Sequence, residues 1–174
     1  MDHRALAGLA WHAAPFGYRG TGGALVRRFK LDANAAAGLL LARAMADVLR
    51  PRLVDAWRRP CLIPVPLHAS RARRRGFDQA HWLAVGIADR LGLVRPDATL
   101  VRVAPTLPQG DPRVASRLRN VESAFAVRAA AKVVGARVVL VDDVFTSGAT
   151  ARTCARVLRE AGAEAVAVVT ACRS

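Results

Sequence analysis

The chain has 174 residues, a formal charge of +14, 53% apolar residues and only 5% aromatic ones. That apolar fraction excludes a disordered chain, and the length suits a single domain that buries about two-thirds of its unfolded surface. Apolar stretches break at Arg43, Asp47 or glycine well short of the ~20 residues of a membrane helix, so no membrane span is expected.

Cys61, Cys154 and Cys172 make an odd count without any C-x-x-C. This argues against a disulfide framework or a zinc site built from cysteines alone. No basic-then-apolar leader opens the sequence, and a reducing cytoplasm is the expected location. All but two of the 27 basic residues are arginine. Such usage fits a compositional bias of the genome as well as it fits a polyanionic partner. Charge of this size favours phosphorylated ligands and implies at most a weak, salt-sensitive association with nucleic acid. The scarcity of aromatics removes the stacking platforms usual in single-strand binders.

Residues 1–23 carry little pattern and are expected to be irregular, with a short amphipathic segment following from Leu25 to Lys30. Ala33–Leu49 is predicted to be a helix with Leu39, Leu40, Ala44 and Val48 on one face, Arg43 and Asp47 on another, and Pro51 just past its end. A strand-like run, Cys61–His68, breaks at a proline-rich corner. Proline lacks a donor, so Pro64 suits only a strand end, and Pro64–Ala69 is expected to be a rigid loop at a sheet edge. Arg71, Arg73, Arg74 and Arg75 follow. Guanidinium forks pair bidentately with phosphate oxygens, so this cluster suits a diphosphate or a phosphate backbone. Gln79–Leu91 is predicted to be a helix with Leu83, Ile87 and Leu91 inward and Gly92 at its end. Thr99–Val103, Phe125–Val127 and Ala165–Val169 read as strands. Residues 105–124, rich in proline and arginine and poor in periodicity at their start, suit a loop that works as a lid. Strands alternating with helices favour an α/β fold with a mainly parallel sheet in three layers.

The most informative stretch is RVVLVDDVFTSGATARTCARVLREAG, from Arg137 to Gly162. Val138–Val141 has the character of a strand buried on both faces. Successive strand residues face opposite sides, so a strand continued through Asp142 and Asp143 would bury one carboxylate unpaired, costing several kcal/mol. The strand is therefore predicted to stop there, at the carboxyl edge where α/β sheets bind ligands. Thr146, Ser147, Gly148, Ala149 and Thr150 then lead into a helix with Cys154, Val157, Leu158 and Ala161 on one face. A small-residue loop entering a helix offers unpaired N–H groups and a positive dipole end to a phosphate. Two acceptor carboxylates nearby suit a pair of sugar hydroxyls. One ligand with a diol at one end and a phosphate at the other satisfies both, and ribose 5-phosphate is such a molecule. A nucleotide hydrolase's Mg²⁺ strand is disfavoured because no G-x-x-x-x-G-K-[ST] occurs. A response regulator's acid pocket would close the first strand, whereas this pair lies near the chain's end.

VVLVDDVFTSGAT resembles the phosphoribosyl-pyrophosphate (PRPP) motif of type I phosphoribosyltransferases, with Ser147 in place of a usual threonine. IPVPLHASRARRRGFDQAHWLA is similar to the P-V-P-L-H-x-x-R-x-R-x-R-G-F-N-Q-A-x-x-L-A signature of the ComF family, phosphoribosyltransferase-like proteins linked to competence. Asp78 there replaces the usual asparagine. Gln109, Arg117, Asn120, Ala124 and Phe125 match a third ComF pattern. The resemblance implies a type I phosphoribosyltransferase-like, Rossmann-like fold. It places the ribose hydroxyls on Asp142 and Asp143, and the 5-phosphate on Thr146, Ser147, Gly148, Ala149 and Thr150. The diphosphate falls to Val65, Pro66, Leu67 and His68 with Arg71 and Arg75. Residues 105–124 become a mobile loop whose Arg117 stabilises the departing diphosphate. Mg²⁺ would be held mainly through PRPP's own oxygens, with no direct protein ligand. The implied partners are PRPP or another phosphorylated ribose, and a protein of the competence machinery. Many ComF proteins begin with a four-cysteine zinc module, and no such pattern precedes Tyr18. Two functions stay open: phosphoribosyl transfer to an unknown acceptor, or a non-catalytic PRPP- or nucleotide-binding component of DNA uptake.

Overall fold

Valine-rich runs form the two longest strands of the computed structural model, which describes residues 6–67, 77–96, 98–103 and 125–174. In chain order the elements are β1 (His12–Ala13), β2 (Phe16–Gly17), α1 (Thr21–Leu31), α2 (Ala35–Leu49) and β3 (Cys61–Pro64). They continue as α3 (Gln79–Leu91), β4 (Leu100–Arg102), β5 (Phe125–Val127), β6 (Arg137–Phe145), α4 (Ala149–Glu160) and β7 (Ala165–Arg173). The main sheet runs β1-β7-β6-β3, with β2 joining β7 beyond β1, and every pairing in it is parallel.

Side chains of β6 alternate between two cores. Val139 and Val141 join Leu41, Met45, Leu49, Leu83 and Ile87 beneath α1–α3. Val138 and Leu140 join Ala151, Cys154 and Leu158 of α4, together with Leu100 and Phe125. The architecture is thus three layers, with helices on both faces of a parallel sheet, as the strand–helix alternation predicts. Pro64 does end β3, where Val65 N–H donates to Val141 O at 2.9 Å.

Several expectations need correction. Residues 1–23 are not wholly irregular: His12–Ala13 and Phe16–Gly17 extend the sheet, and α1 begins at Thr21. Gly22 lets α1 approach β2, because a Cβ there would lie 2.5 Å from the Phe16 Cβ. The buried face of α2 is Ala37, Leu41, Met45 and Leu49, whereas Leu39 and Leu40 are exposed. With three consecutive leucines the helical period alone does not choose the face; small Gly38 does, since a Cβ there would meet the Phe29 and Trp82 rings. Asp47 pairs with Arg90 of α3 at 3.1 Å, tying two helices together. Finally, β4 and β5 form their own antiparallel ribbon, and Arg102 lies opposite Phe125 in register.

Candidate functional site

The predicted strand end is also corrected. β6 continues through Asp142 and Asp143 to Phe145, because β7 runs on to Arg173 and keeps pairing with it, Asp142 beside Thr170 and Val144 beside Cys172. The buried carboxylate that was to end the strand finds a partner instead. Asp143 is nearly buried and its Oδ2 lies 2.7 Å from Lys30 Nζ of α1. Strand alternation sends the two acids to opposite faces. Asp143 meets α1, while Asp142 lines a cavity on the α4 side.

That cavity measures about 50 Å³ and is walled by Asp142, the residues 144–151, Val168 and Thr170. A volume of this size holds a few waters, or one phosphate group, since a single water needs roughly 10–15 Å³ by the same measure. Its floor is the start of α4. Gly148 takes φ 72°, the left-handed conformation that glycine adopts without a Cβ clash, and turns the chain into the helix. No side chain caps this end. Amides of the first turn lack intrahelical acceptors, so the helix start leaves N–H groups and the positive dipole end at this cavity. Ser147 Oγ accepts a long 3.4 Å bond from Ala149 N–H, and Arg152 Nη1 donates to Ser147 O at 2.7 Å.

Asp142 Oδ1 accepts from Asp143 N–H at 2.8 Å, which fixes its orientation. Burial first, and then the charge of Asp143, push the Asp142 carboxyl up to about 8, against an opposing pull from the Asp143 amide and Lys30. Burial and the Asp143 charge both favour the protonated form of Asp142. Perturbation of this size in a cavity marks a functional-site candidate.

A family model described as a phosphoribosyl transferase domain matches residues 35–174. The chain belongs to that family. It is 34% identical over 152 residues to DNA utilization protein YhgH of Salmonella typhimurium, covering 86% of this chain and 66% of that protein. It is 31% identical over 151 residues to competence protein F of Haemophilus influenzae, covering 83% of this chain and 64% of that one. The chain thus spans about two-thirds of the length of these relatives.

On this phosphoribosyl transferase domain the structure gathers Asp142, Thr146, Ser147, Gly148, Ala149 and Thr150 around one cavity. It does not bring Asp143 into that lining. Pro66 and Leu67 lie across β6, in a second cavity of about 400 Å³ shared with His81, Arg102 and Arg128. Val65 is buried beside Ile63 in the α4-side core. His68, Arg71, Arg75 and Arg117, and the proposed mobile loop, fall outside the described residues. Asp78 caps α3, its side chain accepting from His81 N–H at 3.0 Å, a role asparagine fills equally well. Sequence reasoning missed Lys30, Arg152 and Thr170. Arg152 was discoverable, since it lies four residues after Gly148 at the helix start; Lys30 and Thr170 reach the site only through tertiary packing. Among the described residues no helix is long and apolar enough to cross a membrane.

Proposed function

We propose that this domain binds PRPP and transfers its phosphoribosyl group to an acceptor that remains to be identified. The observation that carries the reading is the single cavity shared by Asp142 and the start of α4. An anion-binding helix start and a hydroxyl-binding carboxyl group there match the two ends of a ribose 5-phosphate. The first-turn amides of α4 and the hydroxyls of Thr146, Ser147 and Thr150 hold the 5-phosphate. Asp142 accepts from a ribose hydroxyl; Asp143 reaches the same sugar only if Lys30 releases it. Val65–Leu67 with His68, Arg71 and Arg75 take the diphosphate, and Arg117 stabilises its charge as the C1–O bond breaks. The acceptor's lone pair forms the new bond at C1, and the diphosphate departs with the electron pair.

Asp143 is already engaged by Lys30, and no cluster of three or more metal-ligating side chains occurs among the described residues. In this reading Mg²⁺ would be carried by the diphosphate oxygens of PRPP, where it would neutralise leaving-group charge. Incubation with PRPP, Mg²⁺ and a panel of nucleobases and small amines tests the reading. Diphosphate released in step with a ribosylated product is expected for one acceptor. A complete blank across the panel, with PRPP still bound, supports the second reading. That reading is a non-catalytic PRPP- or nucleotide-binding component of DNA uptake; the names of the relatives, a DNA utilization protein and a competence protein, support only its link to DNA.

A further inference from the structure

A third cavity, of about 600 Å³, opens at the outer edge of the sheet against β1, β2 and the end of β7. Its volume falls within the roughly 300–1,000 Å³ of small-molecule sites. Arg52 and Arg173 line it, with Phe16 and Val48 supplying apolar wall and His12 set into its side.

His12 is 6% exposed, and its Nε2 lies 2.9 Å from Thr170 Oγ1. The hydroxyl of Thr170 gives its own proton to Cys172 O at 3.0 Å. It can therefore only accept from His12, which places the ring proton on Nε2 and leaves Nδ1 a bare lone pair. Nδ1 has no hydrogen-bond partner among the described residues. Burial, then the charges of Arg173 and Arg52, lower the His12 pKa to about 4, so the ring stays neutral. Arg52, Arg173 and the lone pair of His12 thus border the same space, with Ser174 at its rim. A fully deprotonated oxyanion satisfies the arginines but confronts the lone pair. An oxyanion bearing its own O–H or N–H satisfies all three.

We infer that this edge cavity is a second anion site, separate from the α4 cavity and selective for a small oxyanion that carries a hydrogen-bond donor, as a protonated phosphate does. The two cavities share a wall: Phe145 stacks on His12 with ring centroids 4.1 Å apart, and Thr170 lines the α4 cavity. The inference stands whether or not the α4 cavity binds a phosphoribosyl group.

The test is NMR of the ¹⁵N-labelled full chain near pH 7, with the His12 ring resonances assigned through His12→Gln. Inorganic phosphate and sulfate are titrated at matched ionic strength. Phosphate is expected to shift the His12 nitrogens saturably, and sulfate to bind at least tenfold more weakly. Arg52→Gln with Arg173→Gln should weaken the phosphate response at least tenfold, while Thr150→Ala, in the α4 cavity, should leave it in place. Absence of a saturable His12 shift, or a shift that survives loss of both arginines, overturns the site. An equal response to sulfate overturns the role given to Nδ1. If the double variant does not fold, the phosphate–sulfate contrast on the natural chain decides.

Discussion

Asp142 and Asp143 are neighbours in sequence and opposites in setting. On the α1 face Asp143 has a lysine at 2.7 Å, and on the α4 face Asp142 has a cavity and a raised pKa. One carboxylate is paired with a lysine, and the other sits where burial favours its protonated form. The contrast teaches that a strand can run straight through two acids if each face solves its own charge problem. It also separates their surroundings, with Asp143 tied to α1 and Asp142 bordering the cavity.

Breaking the α1 side should give the largest effect. Lys30→Met leaves Asp143 buried without its partner and is expected to cost about 3–5 kcal/mol of stability, measured by urea unfolding. Adding Asp143→Asn should restore most of that loss. A single variant as stable as the natural chain would mean that the ion pair does not hold the strand end.

The α4 side should respond to pH with the opposite sign from an ordinary paired aspartate. Asp142 is raised from 3.8 to about 8 in the folded chain, so the folded state binds more protons between those values. Its contribution to stability is fully present below about pH 4 and is lost as pH rises through about 8. Each unit is worth about 1.4 kcal/mol; because Asp143 is coupled to this titration, we expect a fall on the order of 2–4 kcal/mol between pH 5 and 8.5. Asp142→Asn should flatten it. An unchanged slope in that variant would place the titration elsewhere. His12 runs the other way: its pKa, lowered from 6.5 to about 4, adds stability as pH rises through that window.

Much of this was legible from residues alone. β-branched Val138–Val141, hydroxyl-rich Thr146–Thr150 and the helix behind them obey local rules of period, turn and cap. So do Gln79–Leu91 and its left-handed Gly92, at φ 66°. The errors arose where local rules do not decide. The desolvation argument that ends the strand at Asp142 is sound, but it holds only if no cation arrives from elsewhere. Lys30 arrives from more than a hundred residues away, carried by a helix that looked like a short amphipathic segment. In α2, Leu39, Leu40 and Leu41 are equally apolar, and only the tight contact at Gly38 selects Leu41 for the core. The edge strands β1 and β2 are two residues each, too short for any period to show.

Two smaller perturbations sharpen the comparison. Gly148→Ala forces a Cβ into φ 72° and should cost about 1–2 kcal/mol while distorting the cavity floor. Thermal unfolding measures the cost, and a stability loss under a few tenths would show that the turn relaxes. Smallest of all, Asp78→Asn should change stability by no more than a few tenths of a kcal/mol, because both side chains cap α3. A loss near 1 kcal/mol would mean that the carboxylate's charge matters beyond the cap.

The central claim is that Asp142 and the start of α4 grip opposite ends of one phosphoribosyl ligand. Calorimetric titration of PRPP with Mg²⁺ at pH 8 into the natural chain, Asp142→Asn and Ser147→Ala/Thr150→Ala tests it most directly. Binding that weakens at least tenfold in both variants, with thermal unfolding still cooperative, is the expected result. Undiminished affinity in Asp142→Asn would contradict it.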